Sequence, residues 1–160
     1  MIRRRAAFSR SRRGIDVNLG VDERHLLRRL LGEVGELMTS AAPDDPKMRR
    51  LFPPAYGDDD VASTEYSRLM RDELVASKVQ AIGSVDEFLA DETRTTISEA
   101  ELDSFAMSLN SVRLVLGTLL DVSDDDDPPS PDDPLAAESA LYHFLSWVLD
   151  GAIEALVSRR

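Results

Sequence analysis

The chain has 160 residues, of which 42% are hydrophobic and 31% are charged, so it suits one domain with its own core. It contains no cysteine, which excludes disulfides, thiolate metal sites and a cysteine nucleophile. Its net charge is −11, but residues 1–13 hold six arginines and no acid, so the remainder carries −17 and repels a phosphate backbone.

The amino terminus contains no apolar signal-peptide core, because the apolar residues 6–8 are followed at once by Ser9 and Arg10. No uninterrupted apolar run approaches the roughly 18 residues needed to cross a bilayer. We therefore expect a cytoplasmic protein that does not contact a membrane.

Residues 1–20 form the first predicted element, a β-hairpin with a basic tip. Its strands are predicted at 2–8 and 15–19, because apolar residues alternate with polar ones in the second stretch and Gly14 lies in the turn. The alternative to a nucleic-acid role is that these arginines are solvated or paired with the acidic body. The candidate nucleic-acid contacts are Arg3, Arg4, Arg5, Arg12 and Arg13.

Residues 22–90 are predicted to be mostly helical. A first helix at 22–38 has an apolar stripe, with Glu23, Arg24, Arg28 and Glu33 expected to face water. Pro46 is suited to open a short helix that continues through 47–51. Apolar residues recur at helical spacing over 61–90, where Asp72 or Gly83 would divide the region into two helices. A loop is predicted at 91–97.

The clearest helix is predicted at 98–122. Leu102, Phe105 and Leu109 begin a stripe with 3–4 spacing, and Ser98 with Glu101 matches a capping box. Residues 123–134 contain six aspartates, four prolines and no apolar residue, so a disordered acidic loop is expected. This loop lacks the ligand alternation, central glycine and terminal glutamate of a calcium loop. A last helix is predicted at 135–158.

Together these elements predict a mainly α fold. We expect a single domain over residues 1–160, a bundle of about five or six helices with the short amino-terminal hairpin. Its core should bury five residues of the last two helices together. These are Leu109, Val112, Leu116, Leu145 and Val148.

The residues give little sign of catalysis. His25 and His143 lie on separate predicted helices without an evident acid–base partner or metal-ligand spacing, and no phosphate-binding glycine motif is present. We therefore expect a protein that is not an enzyme and needs no cofactor or metal. Asn110 and Arg113 interrupt an apolar run, and Trp147 widens the apolar arc of the last helix, so these three are candidates for a partner interface. Solvated helix positions are the alternative for the first two, and a central position of the last helix in the bundle is the alternative for the third.

A family resemblance extends from about Arg3 to Leu156. It rests on the order of an arginine-rich hairpin, DERHLLRRLLGEVGELM, RLFPPAY, EYSRLMRDELVASKVQAI, LNSVRLVLGTLLDV, an acidic loop and ALYHFLSWVLDGAIEAL. This order resembles the actinobacterial AosR-like family, long described as a domain of unknown function. The segments at 50–56 and 112–120 are its most specific parts.

The resemblance implies a mostly α-helical regulator of transcription in the oxidative-stress response that acts with an alternative sigma factor. The redox-sensing member of that family looks to use a cysteine pair, and this chain has no cysteine, so no sensing residue carries over. A protein partner in the transcription machinery is expected, direct DNA binding should be weak, and a homodimer stays open. The alternative is an adaptor linked to ClpS-type proteolysis, because genes of the family tend to lie near the ClpS adaptor.

Overall fold

The computed structural model describes residues 5–40, 45–48, 51, 60–120 and 136–158, with the backbone alone at 47, 60–64, 67 and 118–120. Three short strands and four α-helices make up these residues, together with one turn of 3-10 helix at Pro46–Met48. The elements in chain order are β1 (Phe8–Ser11), β2 (Gly14–Val17), α1 (Val21–Ser40), α2 (Asp60–Ala90), β3 (Thr96–Ile97), α3 (Glu99–Leu120) and α4 (Ala136–Val157).

The mainly helical class is confirmed, but the described part of the chain has four α-helices where five or six were predicted. One reason is α2, which continues through Asp72 and Gly83 without a break. Neither residue removes a backbone donor as proline does, and an interior glycine costs a helix only about 1 kcal/mol. The other reason is the short helix predicted through 47–51, where the structure describes a 3-10 turn at Pro46–Met48 and residues 49 and 50 lie outside the described residues.

The hairpin exists, but its first strand lies later in the chain than predicted. β1 covers Phe8–Ser11 rather than residues 2–8, of which 2–4 lie outside the described residues. The tight turn fixes this register, pairing Ser11 with Gly14, so the polar residues just before the turn become the strand. Gly14 adopts a φ of +126°, which favours glycine.

A third strand was not predicted. Thr96 and Ile97 of the expected 91–97 loop pair antiparallel with Asp16 and Ile15, giving the sheet order β1-β2-β3. β3 approaches the turn so closely that a Cβ on Gly14 would lie 3.2 Å from the Ile97 carbonyl oxygen. Two residues are too few to show alternation, so the sequence carries no strand signal here.

The core is centred on α3, which packs against α1, α2, α4 and β2. Leu109, Val112, Leu145 and Val148 are buried together as predicted, whereas Leu116 is only half-buried at its edge. Phe105 joins the sheet to the helices, because its ring contacts Phe8 at 5.1 Å and Phe88 at 6.4 Å between ring centroids, both edge to face.

The last helix, α4, is long and apolar enough to cross a bilayer by composition, with a mean hydropathy of 1.3 over 18 residues. This is weak evidence for a membrane span, because core helices of soluble proteins have the same composition. Leu145, Val148 and Ala152 are fully buried against the rest of the bundle.

Candidate functional site

The arginines of the predicted basic hairpin fall into two groups, one anchored to the helices and one exposed. Arg10 is anchored, because its Nε donates to the Ala155 carbonyl at 2.7 Å and its Nη2 donates to Glu99 Oε1 at 2.6 Å. The first bond satisfies a free carbonyl at the end of α4, where positive charge is also favourable. Arg10 therefore fixes the hairpin onto the helical bundle rather than offering its charge to a ligand.

Arg5, Arg12 and Arg13 are exposed, and within the described residues their side chains have no hydrogen bond or ion pair. Arg12 and Arg13 occupy the turn, where the Arg13 amide donates to Ser11 Oγ at 3.2 Å. The other two candidates, Arg3 and Arg4, lie outside the described residues. The hairpin thus presents three free guanidinium groups on an acidic protein.

Arg24 was predicted to face water, and this was wrong, because only 3% of the residue is exposed. Its guanidinium donates to the carbonyls of Phe88, Asp91 and Arg94, at 3.4, 3.1 and 2.8 Å. These carbonyls belong to the end of α2 and the following loop, and those of Phe88 and Asp91 also accept from the backbone amides of Asp91 and Arg94, at 3.2 and 3.1 Å. Arg24 therefore ties α1 to the α2–β3 loop.

Arg24 and Arg94 lie near the same aromatic ring, that of Phe88, with their Cζ atoms 5.0 and 5.2 Å from the ring centroid. Burial lowers the pKa of Arg24, while Glu92 and Asp91 act to raise it. Asp91 Oδ1 accepts bonds from Thr93 Oγ1 and the Thr93 amide, which lower the pKa of the carboxyl. The loop is thus held by charge and hydrogen bonds rather than by apolar packing.

A pocket of about 320 Å³ lies between α2, β3 and α3, beside this loop. Its apolar floor includes Phe88 and Phe105, and its charged rim includes Glu87, Arg94 and Glu101. Arg94 already forms an ion pair with Glu101. The only cation in the pocket lining is therefore neutralised, and the lining offers no nucleophile–base pair.

The histidines are separate in the structure. His25 was expected to have no acid–base partner, but its Nε2 lies 3.2 Å from Glu92 Oε1 in an exposed pair on the surface. His143 contacts the ring of Tyr142 edge to face. Among the described residues, no three His, Asp or Glu side chains are grouped closely enough to hold a metal ion.

Lys78 is half-buried between α2 and α3. Its Nζ contacts Ser111 Oγ at 3.5 Å, and burial lowers its pKa. Ser108, one turn earlier on α3, buries a hydroxyl that has no hydrogen-bond partner among the described residues. These groups lie inside the helix packing and are not placed to meet a substrate.

The predicted interface residues Asn110, Arg113 and Trp147 are not brought onto one surface. Arg113 lies over the Tyr142 ring at 5.6 Å and so links α3 to α4, while Asn110 is exposed. Trp147 lies five residues after Tyr142, about 140° around the α4 axis, and is half-buried beside Phe144. Their role in partner binding stays a prediction.

The most unusual surface is on the amino-terminal half of α2. We call it the α2 face and define it as Tyr66, Leu69, Met70 and Leu74, whose exposed fractions are 44%, 66%, 37% and 41%. The spacing of three, one and four residues places all four on one side of the helix. The sequence showed this apolar periodicity, but it did not show that the stripe is left uncovered.

Helix lengths explain why the described helices leave this face uncovered. α1 runs antiparallel to α2, because Arg28 pairs with Asp86 while the later Gly35 lies beside the earlier Ile82. α3 does so too, because Phe105 contacts Phe88 while Ser111 contacts Lys78. From Lys78, α2 continues for 18 residues, about 27 Å, whereas α3 continues past Ser111 for nine residues, about 14 Å. The first turns of α2 therefore extend beyond the ends of the described helices alongside them.

Comparison with known proteins gives one result. A family model described as "Domain of unknown function (DUF2017)" matches residues 4–156 of the chain. No curated protein and no solved structure matches the chain.

Proposed function

The chain belongs to the DUF2017 family, and we propose that it is a non-enzymatic regulatory protein that acts by binding a protein partner through the α2 face. The observation that carries this proposal is the exposure of four large apolar side chains together on a helix that extends beyond the described helices beside it. Single exposed apolar residues need no explanation, but a contiguous group of them is typical of an interaction surface.

The partner proposed first is an alternative sigma factor or another part of the transcription machinery, in the oxidative-stress response. This finer proposal rests on the AosR-like resemblance, which covers almost the same residues as the family match. Because the chain has no cysteine, it does not sense oxidants through a thiol of its own. In this proposal, the redox signal reaches it through its partner, in the cytoplasm.

DNA contact is a secondary part of the proposal. It is supported by Arg5, Arg12 and Arg13, which are exposed and carry no internal ion pair in the part of the chain that the structure describes. Three free arginines against a body charge of −17 predict weak binding that depends strongly on salt.

The second candidate function is an adaptor linked to ClpS-type proteolysis. One observation favours it: Arg10, which the basic hairpin could have offered to DNA, turns back to Glu99 and the end of α4. Both functions require a protein partner, so the identity of the bound protein separates them.

Affinity capture from cells of the native host tests the proposal. Three forms serve as bait: wild type, Leu69→Ser/Met70→Ser on the α2 face, and Ile153→Ser/Val157→Ser on α4. The control pair removes two exposed apolar side chains, 47% and 76% accessible, from a different helix. We expect wild type and the control to capture a sigma factor or polymerase subunit, and the α2 variant to lose it.

The identity of the captured proteins separates the two candidate functions. Protease or chaperone subunits, lost from the same α2 variant, would favour the adaptor. If all three forms captured the same proteins in equal amounts, the α2 face would not be the binding surface. Circular dichroism checks that each variant is folded.

A further inference from the structure

One edge of the α2 face is acidic. With 100° between successive residues, Glu73 lies between Tyr66 and Leu69 around the helix, and Glu65 and Asp72 follow on the far side of Leu69. The exposed Arg68 comes next beyond Asp72, so this edge carries three carboxylates and one guanidinium. All three carboxylate residues are exposed. The opposite edge of the face, past Leu74, turns toward the half-buried Arg71 and Lys78 and so toward the body of the protein.

The three carboxylates are available to a ligand. Within the described residues, Glu65, Asp72 and Glu73 make no hydrogen bond or ion pair with another side chain. Elsewhere in the same part of the chain, Glu99, Asp86 and Glu101 are paired with Arg10, Arg28 and Arg94. The α2 face therefore combines an apolar stripe with unpaired negative charge along its open edge.

We propose that the α2 face binds an amphipathic helical segment of the partner protein that carries basic side chains along one flank of its apolar stripe; this inference rests on the proposed function. The apolar residues of the α2 face cover about two helical turns, and they are spaced three and four residues apart as in helix–helix interfaces. Opposite charge along the rim increases the association rate and selects the partner more than it increases affinity.

A second copy of the chain fits this surface less well. A two-fold axis that pairs α2 with α2 in antiparallel orientation places the same edge of each helix together. Glu65, Asp72 and Glu73 would then face the same carboxylates of the other copy, and like charges across an interface oppose association. Charge complementarity thus selects a basic partner helix.

Two designed peptides test this inference. Both are capped 18-residue helices with leucine at the stripe positions; one carries lysine along one flank, and the other carries glutamate there. Fluorescence anisotropy measures their binding to wild type, to Leu69→Ser/Met70→Ser, and to the charge variant Glu65→Gln/Asp72→Asn/Glu73→Gln. The matched charge control is Glu33→Gln/Glu36→Gln/Asp103→Asn, which neutralises three exposed carboxylates on α1 and α3.

We expect the lysine peptide to bind wild type and the charge control alike. Its affinity should fall at least tenfold with the apolar variant and about tenfold at low salt with the α2 charge variant, as three rim pairs would predict. The glutamate peptide should bind wild type at least tenfold more weakly than the lysine peptide. Raising the salt concentration should reduce the difference between the two peptides.

The remaining outcomes contradict the inference in distinguishable ways. If both peptides bound wild type equally and neither bound the apolar variant, the preference for a basic flank would be refuted. The proposed function would still stand. If the charge control lost as much affinity for the lysine peptide as the α2 charge variant, the peptide would be attracted to the acidic protein as a whole and not to the α2 face. No binding of either peptide to wild type would refute the helical ligand, and the capture experiment would then decide the proposed function. A wild-type dimer by sedimentation that Leu69→Ser/Met70→Ser dissociates would assign the face to a second copy.

Discussion

At the level of single residues, the Arg24 side chain holds α1 against the end of α2 and the loop that follows it. Its guanidinium satisfies three carbonyls at the end of α2 and in the following loop, and only 3% of the residue is exposed. Replacing Arg24 with methionine keeps a long apolar stem and removes every one of these donors. We expect the free energy of unfolding to fall by about 2–4 kcal/mol.

Urea denaturation measures this effect, and Arg29→Met on the same helix is the matched control. Arg29 is exposed and has no ion pair among the described residues, so its replacement should change stability by no more than about 0.5 kcal/mol. Equal effects of the two substitutions would contradict the role assigned to Arg24.

Asp91 supports a prediction about pH. Its pKa is lowered first by the side-chain hydrogen bond from Thr93 and then by the Thr93 amide. A carboxyl with a lowered folded-state pKa stabilises the protein above pH of about 4, and that stability is lost as the pH falls through the folded-state pKa. Thr93→Val removes the hydroxyl donor, so the pKa of Asp91 should rise toward its ordinary value.

An NMR titration of the Asp91 carboxyl carbon in wild type and Thr93→Val checks this. The variant should also lose less of its stability to acid than wild type does below pH of about 4. An unchanged Asp91 pKa would show that the hydroxyl bond is not the main cause.

Local residue patterns were predictable, whereas long-range polar contacts were not. The Ser98–Glu101 capping box is confirmed, with the Glu101 amide bonded to Ser98 Oγ at 3.1 Å, because both partners lie three residues apart in the sequence. Arg24 could not be identified in this way. Its partners are backbone carbonyls more than 60 residues away, and carbonyls have no residue type that a sequence could show.

At the level of elements, burial on α3 predicts a graded response to truncation. Leu109 is completely buried at the centre of α3, whereas Leu116 is half-buried near its end. Leu109→Ala should cost about 2–5 kcal/mol, because it leaves a cavity among residues that cannot collapse. Leu116→Ala should cost less, because water reaches that position.

Thermal or urea unfolding of the two variants gives the comparison. A larger loss for Leu116→Ala than for Leu109→Ala would mean that the end of α3 is packed more closely than the structure shows. Circular dichroism of each folded variant confirms that the helices are retained.

Helices were predictable from apolar spacing, and strands were not. The predicted helices at 22–38, 98–122 and 135–158 agree within two residues with α1, α3 and α4. β1 and β3 are short, and tertiary pairing with β2 defines them rather than alternation. The spacing in α2 was also legible, but a stripe that continues past the neighbouring helices has the same pattern as a buried one.

At the level of the whole molecule, the uneven charge predicts weak DNA binding that depends on the hairpin. Replacing Arg3, Arg4, Arg5, Arg12 and Arg13 with alanine should abolish it and leave the helices folded. The three of them that the structure describes, Arg5, Arg12 and Arg13, are exposed, and exposed arginines contribute little to stability. These five arginines neutralise at most about five phosphates, so the affinity of wild type should fall steeply as salt increases.

Salt-titrated fluorescence anisotropy with labelled DNA measures this, with Arg29→Ala/Arg68→Ala as the control. Both control residues are exposed arginines of the helical body. Equal DNA affinity of wild type and the five-fold variant would refute the hairpin as the contact. No binding at low salt by any form would leave a regulator that contacts protein alone.

For the whole protein, the central claim is that a basic helix of the partner covers residues 65–74 of α2. Hydrogen–deuterium exchange of the full chain, free and saturated with the captured partner, measures this most directly. The amides of α2 between Glu65 and Leu74 should gain more protection than those of any other segment, because their surface becomes buried. Protection confined to the hairpin at residues 8–17, with α2 unchanged, would contradict it.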